Sequence, residues 1–358
     1  MKREHLNFLK NTSQSVPSNT TPGTLELLGW KSFFAQQIST DEITLTPPVR
    51  VVEVHRNGLH VLGDNIDLLI PPGPDATVGD WLLLNRDHPP SSLPLERKSL
   101  IKRRAPGHDR KIQPIAANID TAFIVTSCNQ DFNVARLERY IALALEAGVE
   151  PVIVLTKPDL CADAQSYLQE AQAISDTVPV LLLDARSDEP RHALAPWCKP
   201  GQTVAFLGSS GVGKSTLTNA LAGSDNIKTQ SIREDDAKGR HTTTSRQLHI
   251  LEGQCAVLDT PGMRELQLTD SESGLADLFS DLEGLATQCR FNDCQHDSEP
   301  GCAVKAGLED GSIDPERLER WRKLIAEERH NTASLAERRS KDRAFGKLIR
   351  RIQKDKQR

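Results

Sequence analysis

Thr203-Val204-Ala205-Phe206-Leu207 runs directly into Gly208-Ser209-Ser210-Gly211-Val212-Gly213-Lys214-Ser215. An apolar strand, the pattern G-x4-G-K-S and a helix over Ser215 to Leu221 are the three parts of a phosphate-binding loop. Glycines let the backbone curl so that successive N–H groups and the helix N-terminus face phosphate. Lys214 is expected to reach the β and γ phosphates and Ser215 to hold Mg2+, and Thr216 closes the set of residues around the phosphates. The alternative is a fortuitous glycine-rich turn, which has no need of a strand before it and a helix after it.

Working outward, apolar strands alternate with helices of about a dozen residues, the signature of an α/β domain. Ile119 to Ser127 reads as a buried strand, Val134 to Ala147 as a helix with Asn133 as N-cap and Gly148 at its stop, and Val152 to Leu155 as the next strand. Val178 to Leu183 and Ala256 to Leu258 extend the sheet.

Three further segments at strand ends carry nucleotide chemistry. Asp259-Thr260-Pro261-Gly262 fits a D-x-x-G element, in which Asp259 holds Mg2+ through water and the Gly262 amide faces the γ-phosphate. Between it and the phosphate loop lies Gly239-Arg240-His241-Thr242-Thr243-Thr244, where Thr243, favoured over Thr242, is the candidate for the metal and the γ-phosphate. Thr156-Lys157-Pro158-Asp159 is the base-reading element: Asp159 accepts two hydrogen bonds from guanine N1–H and the 2-amino group, a donor pair adenine lacks. Lys157 lays its stem along the purine. Alone, this tetrapeptide would be read as an ordinary strand-to-helix turn.

In Ras-like GTPases the guanine element comes last, whereas here it precedes the phosphate loop. The same sheet with its connections re-cut accommodates this order, because the motifs meet at the ends of adjacent strands. The expected fold is therefore multidomain. Residues 1–40 form a polar extension with at most a short helix around Leu25 to Gln37. An OB-type β-barrel spans 41–105, a circularly permuted GTPase domain 106–268, and an α-helical zinc-binding domain with a basic tail 269–358. The barrel rests on Val49 to His55, the Asn57-Gly58 turn, Leu59 to Leu62, Asp67 to Ile70 and Trp81 to Leu84, whose size and strand count fit an oligonucleotide-binding barrel; with few aromatics for base stacking, the pattern alone supports only a small all-β domain. The C-terminal helices include Pro315 to Arg329.

Cys289, Cys294, His296 and Cys302 give C-x4-C-x-H-x5-C, three thiolates and an imidazole suited to a closed tetrahedral Zn2+ site of structural kind. The alternative is buried thiols and a surface histidine. Seven cysteines, an odd number, fit core thiols or a metal better than a disulfide framework. With 37% hydrophobic and 26% charged residues and no apolar run of membrane-spanning or signal-peptide length, the expectation is a cytoplasmic protein without a membrane partner. The net charge of −5 conceals a polarised distribution: Asn331 to Arg358 holds ten Lys/Arg against three acids, a tail of +7. A second basic cluster is Arg97-Lys98 with Lys102-Arg103-Arg104. Either is a solvated face or a nucleic-acid contact.

Taken together, these motifs resemble the RsgA (YjeQ) family, the ribosome small-subunit-dependent GTPases, over roughly residues 45 to 330. The resemblance implies a GTP hydrolase that binds the small ribosomal subunit and its 16S-type rRNA late in assembly and leaves after hydrolysis. It implies GTP/GDP with Mg2+ and one structural zinc; a monomer is expected, although the sequence itself carries no signal of oligomeric state. It also implies that His241 positions the attacking water, since Met263 stands where Ras-like enzymes use Gln; the alternative is a solvated loop histidine. Lys214, His241 and Thr243 are thus the candidate catalytic residues. Thr156 departs from the commoner Asn and loses an amide that would tie the loops together. The segment for the guanine carbonyl is assigned to Asp184-Ala185-Arg186, with the Ala185 N–H making the contact. The rival functions are an RNA-binding assembly scaffold that uses GTP as a structural ligand, and a P-loop ATPase or small-molecule kinase, against which Thr156 to Asp159 argues.

Overall fold

The structure is a computed structural model of the chain, and it describes residues 23–104, 112–223, 246–251, 255–259 and 271–332. In chain order its strands are β1 (Pro48–His55), β2 (Gly58–Gly63), β3 (Ile66–Ile70), β4 (Trp81–Leu83), β5 (Leu93–Pro94), β6 (Leu100–Arg104), β7 (Ile112–Ala117), β8 (Thr121–Ser127), β9 (Glu150–Thr156), β10 (Val180–Leu182), β11 (Thr203–Leu207), β12 (Arg246–Ile250) and β13 (Ala256–Asp259). The central order is β10-β9-β8-β11-β13-β12, parallel except for β12 against β13.

Every residue of β8 and β11 is buried, as expected for strands covered on both faces. Alternation along the pleat divides the core in two. Ala122, Ile124, Ile153, Leu155, Ala205 and Leu207 point to one face, together with Leu137 and Ile141 of the helix Val134–Glu146. Phe123, Val125, Val152, Val154, Val204 and Phe206 point to the other, with Leu217 and Leu221 of the helix Lys214–Ala222. From β8 the chain builds β9 and β10 to one side and then returns to lay β11 on the other, so β8 and β11 flank the point where the winding reverses. Ligands of open α/β sheets bind at such a point.

The N-terminal unit is a small antiparallel barrel of OB type. Its long first strand pairs with both β2 and β4 and carries a bulge between Val51 and Glu53. Val49, Val51, Leu59, Val61, Ile70, Leu82 and Leu84 form its core. β12 joins this barrel to the central sheet, pairing with β1 through Glu53↔Gln247 and Val54↔Arg246.

Two expectations are refined here. Part of the segment read as a polar extension is folded: the short helices Thr24–Leu27 and Ser32–Ala35 bring Leu28 and Phe34 into a buried cluster with Trp81. Trp30 meets the Trp81 ring edge-on with centroids 4.8 Å apart. Arg50, fully buried, donates to the carbonyls of Leu28, Gly79 and Asn118, linking this segment, the barrel and the entry to β8. Burial pushes its pKa down to about 10. The boundary expected between residues 105 and 106 falls within the connection from β6 to β7, which pair as an antiparallel hairpin from Leu100↔Ala117 to Arg104↔Ile112. The basic residues of β6 hide its alternation.

The basic cluster on this hairpin and just before it is partly committed to internal ion pairs. Arg97 grips the buried Asp80 with two nitrogens, each at 2.8 Å, and Lys98 Nζ lies 3.1 Å from Asp120 Oδ1.

The C-terminal helices share the core of the first sheet face. Leu275, Leu278, Phe279 and Leu282, followed by Leu318, Trp321 and Leu324 of the helix Pro315–Thr332, pack in the same apolar cluster as Leu137 and Ile141. At Gly274 a Cβ would come 2.1 Å from the Ala142 carbonyl, so only glycine permits this close approach to the helix Val134–Glu146. Glu138 of that helix is sealed in the interface: Arg320 Nε lies 3.0 and 3.1 Å from its two oxygens and Arg317 Nη1 4.0 Å away. Burial pushes the Glu138 carboxyl pKa up while the Arg320 guanidinium draws it back. Among the described residues no helix is long and apolar enough to cross a membrane.

Candidate nucleotide and metal sites

The phosphate loop leaves β11 at Gly208, whose φ of 136° and a would-be Cβ 2.1 Å from the Val125 carbonyl exclude any side chain. Gly211 and Gly213 also take positive φ, at 77° and 103°, and the helix begins at Lys214. This is the curl that turns backbone N–H groups inward. Ser210, Gly211, Ser215 and Thr216 are exposed, while Val212 is buried and anchors the loop in the second core. Lys214 Nζ donates to the carbonyl of Gly208 at 2.9 Å and also to that of Ser209.

The guanine element meets this loop directly. Thr156 ends β9 fully buried, and its hydroxyl lies 2.6 Å from the Val212 carbonyl and 3.2 Å from that of Thr126. The expectation that Thr in place of Asn unties the loops is thereby corrected. A hydroxyl on the buried strand end reaches a carbonyl of the glycine loop and so ties the two segments together. Lys157, held at φ 58°, donates from Nζ to the Gly211 carbonyl at 2.7 Å. Pro158 and Asp159 start a short 3-10 turn, with Asp159 exposed at its rim.

Ala185 completes the convergence. It is buried, and a Cβ on Gly213 would stand 3.8 Å from the Ala185 Cβ and 3.6 Å from Thr156 Oγ1. Its loop is a tight Asx turn in which Asp184 Oδ1 accepts from the Arg186 N–H at 2.9 Å.

Asp259 is the last residue of β13, in register with Gln247 and beside β11 in the sheet. His241, Thr243 and the rest of Gly239 to Thr244, together with Thr260 to Gly262, Met263 and the basic tail, lie outside the described residues.

One polar contact to the phosphate loop was not legible in the sequence. Arg136 Nη1, in the first turn of the helix Val134–Glu146, donates to Ser209 Oγ at 2.7 Å. A lone charged residue three positions after an N-cap carries no motif; only the strand order brings it beside β11.

The metal-ligating set is assembled as the spacing predicts. The donor atoms of Cys289, Cys294, His296 and Cys302 all lie within 4.8 Å of one another. Cys289 Sγ and Cys302 Sγ are each 3.5 Å from His296 Nδ1 and 3.9 Å from each other. A tetrahedral Zn2+ with bonds near 2.3 Å to sulfur and near 2.0 Å to nitrogen requires edges of about 3.8 Å between sulfurs and about 3.5 Å between sulfur and nitrogen, so the donors fit that ion. His296 sits at φ 59°, and its ring faces Trp321 at a centroid distance of 5.6 Å. Cys302 caps the helix Ala303–Glu309 by accepting from the Lys305 N–H at 3.4 Å. Glu299 accepts the N–H groups of Gln295, Asp297 and Ser298, which hold its carboxyl pKa down at about 2. With all four donors supplied by the protein, an ion held there would have no open position.

With the Thr156 to Asp159 segment ending β9, the glycine loop following β11 and Asp259 ending β13, in the sheet order β9-β8-β11-β13 and in this chain order, the fold is that of a circularly permuted P-loop GTPase. The RsgA GTPase family model matches residues 94–269. A small ribosomal subunit biogenesis GTPase RsgA 2 of Vibrio parahaemolyticus is 48% identical over 340 residues, covering 94% of this chain and 95% of the relative. The small ribosomal subunit biogenesis GTPase RsgA of Mesorhizobium japonicum is 50% identical over 313 residues, covering 85% and 90%. Among solved structures, YjeQ from Thermotoga maritima superposes with a TM-score of 0.58 at 26% identity, covering 78% of this chain and 97% of that one. YloQ, described as a circularly permuted GTPase, superposes with a TM-score of 0.56 at 25% identity, covering 81% and 97%. The chain belongs to the RsgA GTPase family, and it is a GTP hydrolase.

Proposed function

We propose that this protein binds the small ribosomal subunit in the cytoplasm, contacts its rRNA, and acts late in its maturation as a monomer, with GTP hydrolysis stimulated by the subunit and coupled to release. The observation that carries the reading is the junction of Thr156 with Val212, which ties the guanine element to the phosphate loop in one crevice. The relatives' names, small ribosomal subunit biogenesis GTPases, supply the partner.

In this reading Asp159 takes the guanine N1–H and 2-amino group, Lys157 covers the purine face, and the Ala185 N–H meets the guanine carbonyl. The amides of Ser209 to Thr216 surround the phosphates, and the Lys214 ammonium leaves its two carbonyls for the β and γ oxygens. Ser215, Thr243 and Asp259 are the Mg2+ ligands, and that ion supplies charge neutralisation at the phosphates. Gly262 senses the γ-phosphate, and His241 positions water once the subunit docks its loop. Cys289, Cys294, His296 and Cys302 hold zinc as a fixed strut of the C-terminal unit.

Single-turnover GTP hydrolysis with and without small subunits tests this function. Slow intrinsic turnover, strongly accelerated by subunits and lost in His241→Ala with GTP affinity retained, is the expected result. An unaccelerated wild-type chain would favour the scaffold, in which nucleotide is a structural ligand.

A further inference from the structure

The helix Val134–Glu146 is gripped at both ends by different parts of the molecule. At its start, Asn133 accepts from the Arg136 N–H at 2.8 Å, and Arg136 Nη1 reaches Ser209 Oγ at 2.7 Å and the Asp131 carbonyl at 3.4 Å. Two cations thus converge on one residue of the phosphate loop: Arg136 through the Ser209 hydroxyl and Lys214 through the Ser209 carbonyl.

Beyond that turn, the polar side-chain contacts of the helix among the described residues are made by the C-terminal unit. Glu138 is clamped by Arg320, and Arg139 Nη2 meets Glu327 Oε2 at 2.5 Å. At the last turn, Glu146 Oε2 accepts from Ser273 Oγ at 2.7 Å and from the Gly274 N–H at 3.1 Å. A packed helix moves as a rod, so a shift of the C-terminal unit is carried to Arg136. A loop that places amides around phosphates is sensitive to displacements of about 1 Å, which can cost an enzyme on the order of a hundredfold in rate.

We propose that Arg136 is a positioning residue for the phosphate loop, through which the C-terminal unit sets the geometry of Ser209 and hence the rate of GTP hydrolysis. This rests on Gly208 to Ser215 being the phosphate site. It goes beyond that site by assigning a residue outside every nucleotide motif and a route by which the zinc-bearing unit acts on turnover.

The test is intrinsic hydrolysis by the full-length protein, with kcat and KM measured separately and guanine-nucleotide Kd and thermal midpoint alongside. Arg136→Ala should lower kcat/KM about tenfold, the loss of one charge-assisted hydrogen bond. Adding Ser209→Ala should lower it no further, because the two groups act as one contact. Arg136→Lys, which keeps a donor, should recover part of the loss. Cys294→Ala should lower kcat/KM in the wild-type background and have no further effect on Arg136→Ala. Additive losses in either pair, or a Cys294→Ala protein with full turnover, would overturn the inference while leaving the phosphate site in place. That site stands or falls separately with Lys214→Ala: nucleotide affinity lost upholds it, and affinity unchanged removes it.

Discussion

Thr156 Oγ1 lies 2.6 Å from the Val212 carbonyl, so the strand end proposed to read the base and the loop proposed to hold the phosphates are bonded across 56 residues of chain. Both residues are buried, which makes the bond expensive to remove. Thr156→Val keeps the shape and deletes the donor, leaving the Val212 carbonyl short of a partner. The expected cost is about 1–3 kcal/mol, seen as a lower unfolding midpoint and weaker GDP binding, while Thr156→Asn retains both. A Thr156→Val protein with wild-type GDP affinity and midpoint would separate the two elements energetically.

The Glu138–Arg320 pair makes a contrasting prediction. Arg320→Ala leaves a buried carboxylate facing only the more distant Arg317, and denaturant unfolding should report a loss of about 3–5 kcal/mol. Replacing both partners, Glu138→Leu with Arg320→Leu, should recover most of it, because apolar groups of similar volume need no desolvation. If the double variant is no more stable than Arg320→Ala, packing rather than uncompensated charge governs this interface.

How far the sequence carries can be judged from these residues. The parallel strands β8, β9, β10, β11 and β13 and the helix from Asn133 to Gly148 were legible, because buried strands read as apolar runs and caps leave local marks. The metal set was legible from spacing alone. The burial of Leu28 and Phe34 was not, since the apolar residues from Leu25 to Phe34 fall in two short helices without a sustained period; they are buried because Trp81, some fifty residues away, offers a surface. β12 was missed for a related reason: Arg246 to Ile250 alternates weakly, and its place is fixed by pairing with both β13 and β1. Arg136 and Glu138 carry no motif and lie two positions apart on the helix, so they point in different directions. Only the tertiary arrangement shows that one meets Ser209 and the other Arg320.

Metal analysis of the purified protein in non-chelating buffer should give one zinc per chain. Cys294→Ala should abolish it and loosen the packing of the Pro315–Thr332 helix, read by hydrogen exchange, while nucleotide binding largely persists, because the four ligands all follow the GTPase core in the chain. Absence of stoichiometric zinc, despite donor distances suited to it, would contradict the metal assignment.

Binding to small subunits should weaken steeply with salt, since each Lys or Arg on a phosphate releases condensed counterions. Deleting residues 338–358, which carry ten of the chain's 44 Lys/Arg, should flatten that dependence. An unchanged slope would mark the tail as a solvated segment. Because Arg97 is already paired with Asp80, its removal should act through stability rather than through the salt slope.

The central claim is that Thr156 to Asp159, placed before the phosphate loop in the chain, is the guanine-reading half of the same site. The direct measurement is a titration of wild type and Asp159→Asn with GTP, ATP and xanthosine triphosphate. Asparagine presents a donor where guanine N1–H needs an acceptor, whereas the 2-oxo group of xanthine accepts from it. Wild type should prefer GTP over ATP, and Asp159→Asn should lose GTP affinity by about a hundredfold, as expected for two hydrogen bonds to a charged group, and gain affinity for xanthosine triphosphate. An Asp159→Asn protein that binds GTP as tightly as wild type would contradict the account and place the base elsewhere.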